Sequence, residues 1–312
     1  MNGFGQINFN ISSKLKVETG FNINTTSYNL TDLFNSGSAS QNGDYRFEPI
    51  FSPRLGASYA LAKGKNIYAS VSRGFSIPTV AETLTPDRTI NTYLNPETGT
   101  NYEIGFKANW LKNKLYTEIN AYQIEIENLL VAQRVAEDQY VGVNAGKTSH
   151  RGLEFLANFR FELTQKISLN PYFNGVVNNF ELRTFINEND DFSGNKLPGV
   201  PDYTFNYGLD VKTTFGVNFY VNAHNFGPIY LNDSNIGITD SYQVVNLKAA
   251  YRLTVFSGAE AHIYFGINNI FDEKYASSIL TNAVGFGGKA PRYYYPGNSR
   301  NYYGGLQLQY QF

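Results

Sequence analysis

Apolar and polar side chains alternate one by one over long stretches of this chain. Leu15, Val17, Thr19, Phe21 and Ile23 fall on one side, with Lys16, Glu18, Gly20 and Asn22 between them. The same alternation recurs in residues 102–110 (Tyr102, Ile104, Phe106, Ala108, Trp110), 153–161, 203–211 and 245–253. It closes the chain without error: Leu306, Leu308, Tyr310 and Phe312 against Gln307, Gln309 and Gln311. Successive side chains of a strand point to opposite faces, so each run has one apolar and one polar face. The pattern predicts thirteen strands, near 3–11, 14–25, 46–61, 66–75, 100–110, 114–131, 140–161, 166–179, 202–213, 216–228, 242–253, 259–271 and 301–312. Each alternating run has about 9–11 residues, the length a tilted strand needs to cross a bilayer. Strands of soluble proteins average about 5–6.

The connections alternate in length. Short polar turns are expected near 11–14, 62–66, 110–114, 162–166, 213–216 and 254–259. Long loops rich in Gly, Asn, Pro and Asp are expected near 25–45, 76–100, 180–201, 230–241 and 272–300, with a shorter one near 134–140. Outer-membrane barrels have short periplasmic turns and long outer loops. Backbone groups inside a bilayer must pair among themselves, which only a closed wall achieves for strands. The expected fold is all-β: a transmembrane antiparallel β-barrel.

Composition agrees. The 312 residues include 24 Tyr, 24 Phe and one Trp, while charged residues make up only 16%. Mean hydropathy is nonetheless −0.33. Such a chain suits a wall whose two faces meet different solvents. A net charge of −1 gives no basis for nucleic-acid binding. Cysteine is absent, which removes disulfides, thiolate metal sites and a Cys nucleophile. No apolar run is long enough for a transmembrane helix. Residues 1–20 do not read as a signal peptide, so an export signal is expected upstream.

Four segments, in order, resemble the C-terminal barrel of TonB-dependent outer-membrane receptors. They are Tyr68-Ala-Ser-Val-Ser-Arg-Gly-Phe-Ser-Ile-Pro78, Asn95-Pro-Glu-Thr-Gly-Thr-Asn-Tyr-Glu-Ile-Gly105, Val143-Asn-Ala-Gly-Lys-Thr-Ser-His-Arg-Gly-Leu-Glu154 and Asn268-Asn-Ile-Phe-Asp-Glu-Lys-Tyr275, with the terminal aromatic Phe312. The resemblance implies a barrel of about 22 strands with a plugged lumen. It makes residues 1–312 the C-terminal portion of that barrel domain, with the N-terminal plug and TonB box absent. It implies a receptor in the cell outer membrane, not an enzyme, and no cofactor. The cargo it implies is a metal chelate, most often a ferric siderophore. The implied partners are the TonB–ExbB–ExbD complex acting through the plug, outer-membrane lipid and the barrel assembly machinery. The alternative is a passive porin of about fourteen strands, since bacterial barrels have even strand numbers.

The sequence offers no catalytic constellation and no metal site. His150, His224 and His262 share no ligand spacing. Glu103, Lys107, Glu154, Arg160 and Arg252 lie on polar faces and are expected to pair with one another or with the plug. Asn269, Phe271, Asp272 and Tyr275 are expected to shape the exit of the penultimate strand. The best ligand-binding candidates are in the last loop: Arg292, Tyr293, Tyr294, Tyr295 and Arg300. Guanidinium forks beside phenols can grip an anionic chelate; an aromatic girdle is the structural alternative. Asp87, Arg88 and Tyr93 form a weaker candidate of the same kind. Tyr310 and Phe312 are assigned, by the resemblance, to the membrane-insertion signal.

Overall fold

A computed structural model describes residues 1–34, 37, 40, 42–85, 91–136, 139–144, 146–187, 190–285 and 287–311. Thirteen strands follow one another across a single antiparallel wall in sequence order. They are β1 (Asn2–Asn10), β2 (Leu15–Asn24), β3 (Ile50–Ala62), β4 (Lys65–Ser76), β5 (Glu97–Trp110), β6 (Leu115–Glu127), β7 (Gly146–Phe159), β8 (Ile167–Asn187), β9 (Tyr203–Thr213), β10 (Val217–Phe226), β11 (Tyr242–Phe256), β12 (Ala259–Asn268) and β13 (Asn301–Tyr310). Among the described residues β1 and β13 are not paired with each other, so the wall is open.

The strand count follows the alternation, but four boundaries differ from it by four residues or more; the first is the start of β3, at Ile50 and not 46, because Arg46 pairs with Ser27 in a loop hairpin. Asn128 adopts φ 57°, which ends β6 at Glu127. The chain then forms a separate hairpin, Leu130–Ala136 against Gln139–Asn144, and re-enters the wall at Gly146 with φ 139°. The segments expected at 114–131 and 140–161 therefore divide between wall and loop. β8 runs on to Asn187, well into the expected 180–201 loop, because β7 pairs with it as far as Gly146↔Phe185.

Register keeps the apolar sides together. Ile7, Thr19, Leu55 and Val71 stand in one cross-strand row, and Ile67, Phe106, Ile119 and Phe155 in another. This face is uncovered: Leu55 is 50% exposed, Ile104 54% and Leu306 62%. So much contiguous apolar surface requires a nonaqueous neighbour. The polar face carries a second regularity. Five tyrosines lie directly across from glycines: Tyr68↔Gly105, Tyr122↔Gly152, Tyr172↔Gly208, Tyr264↔Gly305 and Tyr303↔Gly266. A Cβ on any of these glycines would collide with its tyrosine ring.

At the short-turn end the hairpins are laced by one repeated bond. The Lys14 carbonyl accepts from Ala60 N–H, Gly64 from Asn109, Lys114 from Arg160, Lys166 from Thr214, Gly216 from Arg252 and Gly258 from Gln311. The large buried apolar side chains sit at the other end, among the loops and the end of β8: Phe47, Leu94, Leu182, Phe185 and Leu231; near the short turns only the small Ala108, Ala259 and Ala261 are buried among the described residues. Tyr28 and Tyr45 pack edge-on against Phe47, with centroids 5.6 and 4.5 Å away.

Candidate functional site

The long loops form two knitted groups. In the first, hairpin Ser27–Leu30/Gly43–Arg46 meets the loop that follows β4. Tyr28 donates to Pro78 O at 2.7 Å, and Tyr45 donates to Thr92 O (3.1 Å) and Leu94 O (2.8 Å). That loop starts on a one-turn helix, Val80–Thr83, capped reciprocally by Thr79 and Glu82. It then reaches the hairpin after β6: Asn95 N–H donates to Asn144 Oδ1 (2.7 Å), and Asn144 Nδ2 donates back to Asn95 O (3.0 Å).

In the second group, asparagines bridge three loops. Lys196 N–H donates to Asn235 Oδ1 (2.7 Å), and Asn235 Nδ2 returns a bond to Lys196 O (2.9 Å). Asn195 Nδ2 donates to Asp233 O, and Asp233 N–H to Asn282 Oδ1. Asn235, Asn269, Asp272 and Asn282 all hold φ between 51° and 56°. Asn and Asp tolerate this left-handed region because their side chains bond local backbone. Burial pushes the Asp233 carboxyl above the usual carboxylate range.

The Asn269–Tyr275 segment ties the last loop to the wall, as expected for this exit. Asn269 is buried; its Oδ1 accepts from Glu273 N–H, and its Nδ2 donates to Glu273 O and Asn298 O. Asp272 accepts from Arg300 N–H at 2.8 Å and from Lys274 at 3.3 Å, which holds its carboxyl below the usual range. Tyr275 lies against Gly297, and its carbonyl accepts from Gly297 N–H. Phe271 takes no comparable part and is exposed.

The predicted binding residues separate within this frame. Tyr294–Pro296 pair with Ala276–Ile279 in a loop hairpin beyond the wall, so these phenols do not sit in a strand girdle. Tyr293 and Tyr294 meet edge-on at 6.4 Å. Arg292 is exposed at one end of the segment, and Arg300 lies at the other, beside Asp272. Among the described residues the cation–ring contacts belong to Lys65, Lys107 and Lys248 in the wall, not to these arginines. Tyr93 is exposed on the first loop group and the last loop belongs to the second. Asp87, Arg88 and Phe312 lie outside the described residues. Tyr310 ends β13 opposite Ala259, with its ring 6.1 Å from Phe256.

A cavity of about 500 Å³ opens between the last loop and the loop after β10. Ile229, Tyr242, Lys274, Tyr275 and Tyr294 line it together with the acids Asp240 and Glu273. Tyr242 and Tyr275 also line a second cavity of about 320 Å³ on the polar face, walled by Asn246, Asn268 and Asn301. The two rings stack at 5.1 Å, with Phe226 behind Tyr242 at 5.0 Å. Sequence reading singled out Tyr294 but missed Tyr242 and the asparagine bridges, whose partners are far away in sequence.

The polar face is largely paired, though not in the expected combinations. Lys107 meets Glu118 at 2.8 Å, Arg252 meets Glu260 through two bonds, and Glu154 accepts from Asn120. His224 contacts Asn206, and His150 stacks on Phe180. Six buried polar atoms have no partner among the described residues: Asn22 Oδ1, Ser52 Oγ, Asn101 Oδ1, Asn120 Oδ1, Thr148 Oγ1 and His150 Nε2. By strand alternation all six belong to the polar face.

An antiparallel wall with an uncovered apolar face, a polar inner face, short turns at one end and knitted loops at the other defines a transmembrane β-barrel wall. Residues 2–270 match the family described as TonB dependent receptor-like, beta-barrel, and the chain belongs to that family of outer-membrane barrels. A curated relative is the ferric-pyoverdine 358 receptor of Pseudomonas putida, 25% identical over 92% of this chain and 35% of that protein. The chain thus spans about a third of that relative's length. Among solved structures, the siderophore receptor PiuA of Acinetobacter baumannii superposes with a TM-score of 0.72 at 18% identity, covering 98% of this chain and 42% of that one. A copper transporter, OprC, superposes with a TM-score of 0.74 at 17% identity, covering 100% and 49%. The fold is therefore shared by proteins that carry different metals.

Proposed function

We propose that residues 1–312 form the C-terminal portion of the barrel of an outer-membrane receptor that imports a ferric siderophore. The relative's name supplies that cargo class. The iron is cargo, carried by its chelator. The observation that carries the reading is the cavity between two anchored outer loops, lined by Tyr294, Tyr242 and Tyr275 and adjoined by a second cavity on the inner face. A loop site held by main-chain bonds is pre-organised, which lowers the ordering cost of binding. Tyr294 and Tyr275 supply flat contact area; Lys274, bonded to Asp272, shares the lining with Asp240 and Glu273, and Arg292 and Arg300 stand at the two ends of the tyrosine segment.

The family to which the wall belongs supports an interior plug packed against the polar face. TonB, driven by ExbB and ExbD, would act on that plug to release cargo inward. The barrel itself makes and breaks no bonds. Insertion depends on the assembly machinery, with Tyr310 and Phe312 as its signal. No observation favours the passive-channel alternative.

The test is ferric-siderophore binding by the complete receptor that carries this chain. Tyr294→Ala is expected to weaken binding by about tenfold, the scale of a truncated aromatic contact. Barrel assembly, read as heat-modifiable mobility, should be unchanged. Full affinity in an assembled Tyr294→Ala receptor overturns the cavity as the cargo site.

A further inference from the structure

The short-turn end carries a pattern that cargo uptake does not use. Lys14, Lys63, Lys112, Lys114 and Lys166 lie on four successive turns and are all exposed. Among the connections 11–14, 63–64, 111–114, 160–166, 214–216 and 257–258 the one acid is Glu162. Glu162 follows Arg160 by two residues, and the next acid inward, Glu260, is engaged by Arg252. One turn serves two strands, so the lysine-bearing turns recur about every 10 Å along the rim.

Apolar side chains stand among these cations. Ile11 is 61% exposed, Leu111 62% and Leu163 54%. Leu111, Lys112 and Asn113 hold φ of 51°, 57° and 68°, a left-handed run that non-glycine residues adopt at a cost. On the apolar face just inside the rim, Lys65 Nζ lies 3.9 Å from the centroid of Trp110. Water disfavours the exposed leucines, and a hydrocarbon core excludes the lysines. A headgroup layer accepts both, with Trp and Lys at its boundary. A rim on which five exposed lysines outnumber the single acid Glu162 prefers headgroups of net negative charge over zwitterionic ones.

We infer that this rim binds anionic phospholipid headgroups in the leaflet on the short-turn side. The inference rests on the wall's placement in a membrane and is independent of cargo. The experiment uses the complete receptor in vesicles that contain brominated phosphatidylglycerol or brominated phosphatidylcholine. Quenching of Trp110 is taken as the difference from Trp110→Phe. Phosphatidylglycerol is expected to be favoured at Trp110 by about fivefold at low salt, the effect of one lysine at a charged surface. Combined Lys63→Gln, Lys112→Gln and Lys114→Gln should bring the ratio near one, while the three Arg substitutions keep it. About 1 M salt should do the same to the unaltered protein, since screening then acts within about 3 Å. Equal quenching by the two lipids, or a preference that survives the three Gln changes, overturns the inference. Ferric-siderophore affinity of the Gln variant is measured alongside and should stay at the parent value, which keeps this rim separable from the cargo site.

Discussion

Asn269 concentrates several roles in one side chain. It sits in left-handed backbone, is buried, and spends its amide on Glu273 and Asn298. Asn269→Ala leaves the Glu273 N–H and two carbonyls without that partner, at about 1–3 kcal/mol for each group that stays buried. Amide exchange is expected to accelerate across residues 273–298 and to stay slow in β11 and β12. Two aspartates in the same region should answer pH in opposite directions. Asp272 is held low by Arg300 N–H and Lys274, so its contribution exists above the unfolded carboxyl range and is lost as pH falls through the folded value. Asp233 is held high by burial, so its charge opposes folding at neutral pH and this cost disappears as pH falls through its folded value. Exchange at acid pH should therefore rise near Arg300 and fall near Asn235. Asp272→Asn should remove the first response and leave the second.

At the scale of elements, the paired tyrosines and glycines of the inner face act as matched surfaces. Gly152→Ala drives a methyl into Tyr122, whose hydroxyl bonds Asn178 at 3.0 Å. Overpacking of this kind costs about 1–3 kcal/mol. The temperature at which the barrel loses its compact mobility should drop, and adding Tyr122→Ala should restore part of the loss. The wall strands were legible because a two-residue period needs no knowledge of partners: Phe155 and Gly175 keep their side whatever they pair with. The hairpin after β6 was not, because Asn128 turns the backbone while Leu129, Leu130 and Val131 continue an apolar, strand-like composition. The loop frame was illegible for a different reason. Lys196 and Asn235 stand 39 residues apart, and no local period connects them. Tyr294 was found by its chemistry, and Tyr242 was hidden because it reads as one more wall aromatic.

Across the whole molecule, the wall and its loops obey different physics. The wall draws its stability from ladder bonds and from a membrane against its apolar face. The large buried side chains lie at the loop end, around Phe47, Leu94, Leu182 and Leu231. Loss of the membrane should thus disorder the wall before the loops. In mild detergent exchange, the loop groups are expected to keep protection while β1 and β13, which each have one neighbour here, lose it first.

The repeated bond at the short-turn rim has a consequence for ancestry. Each turn carbonyl accepts from the strand that follows its hairpin, and the arrangement is the same at all six joints. Two neighbouring hairpins thus meet through an interchangeable seam. Duplication or loss of one hairpin leaves every remaining seam intact, whereas duplication of a single strand reverses the direction of all that follow. The hairpin, not the strand, is the quantum in which such a wall can lengthen or shorten over generations.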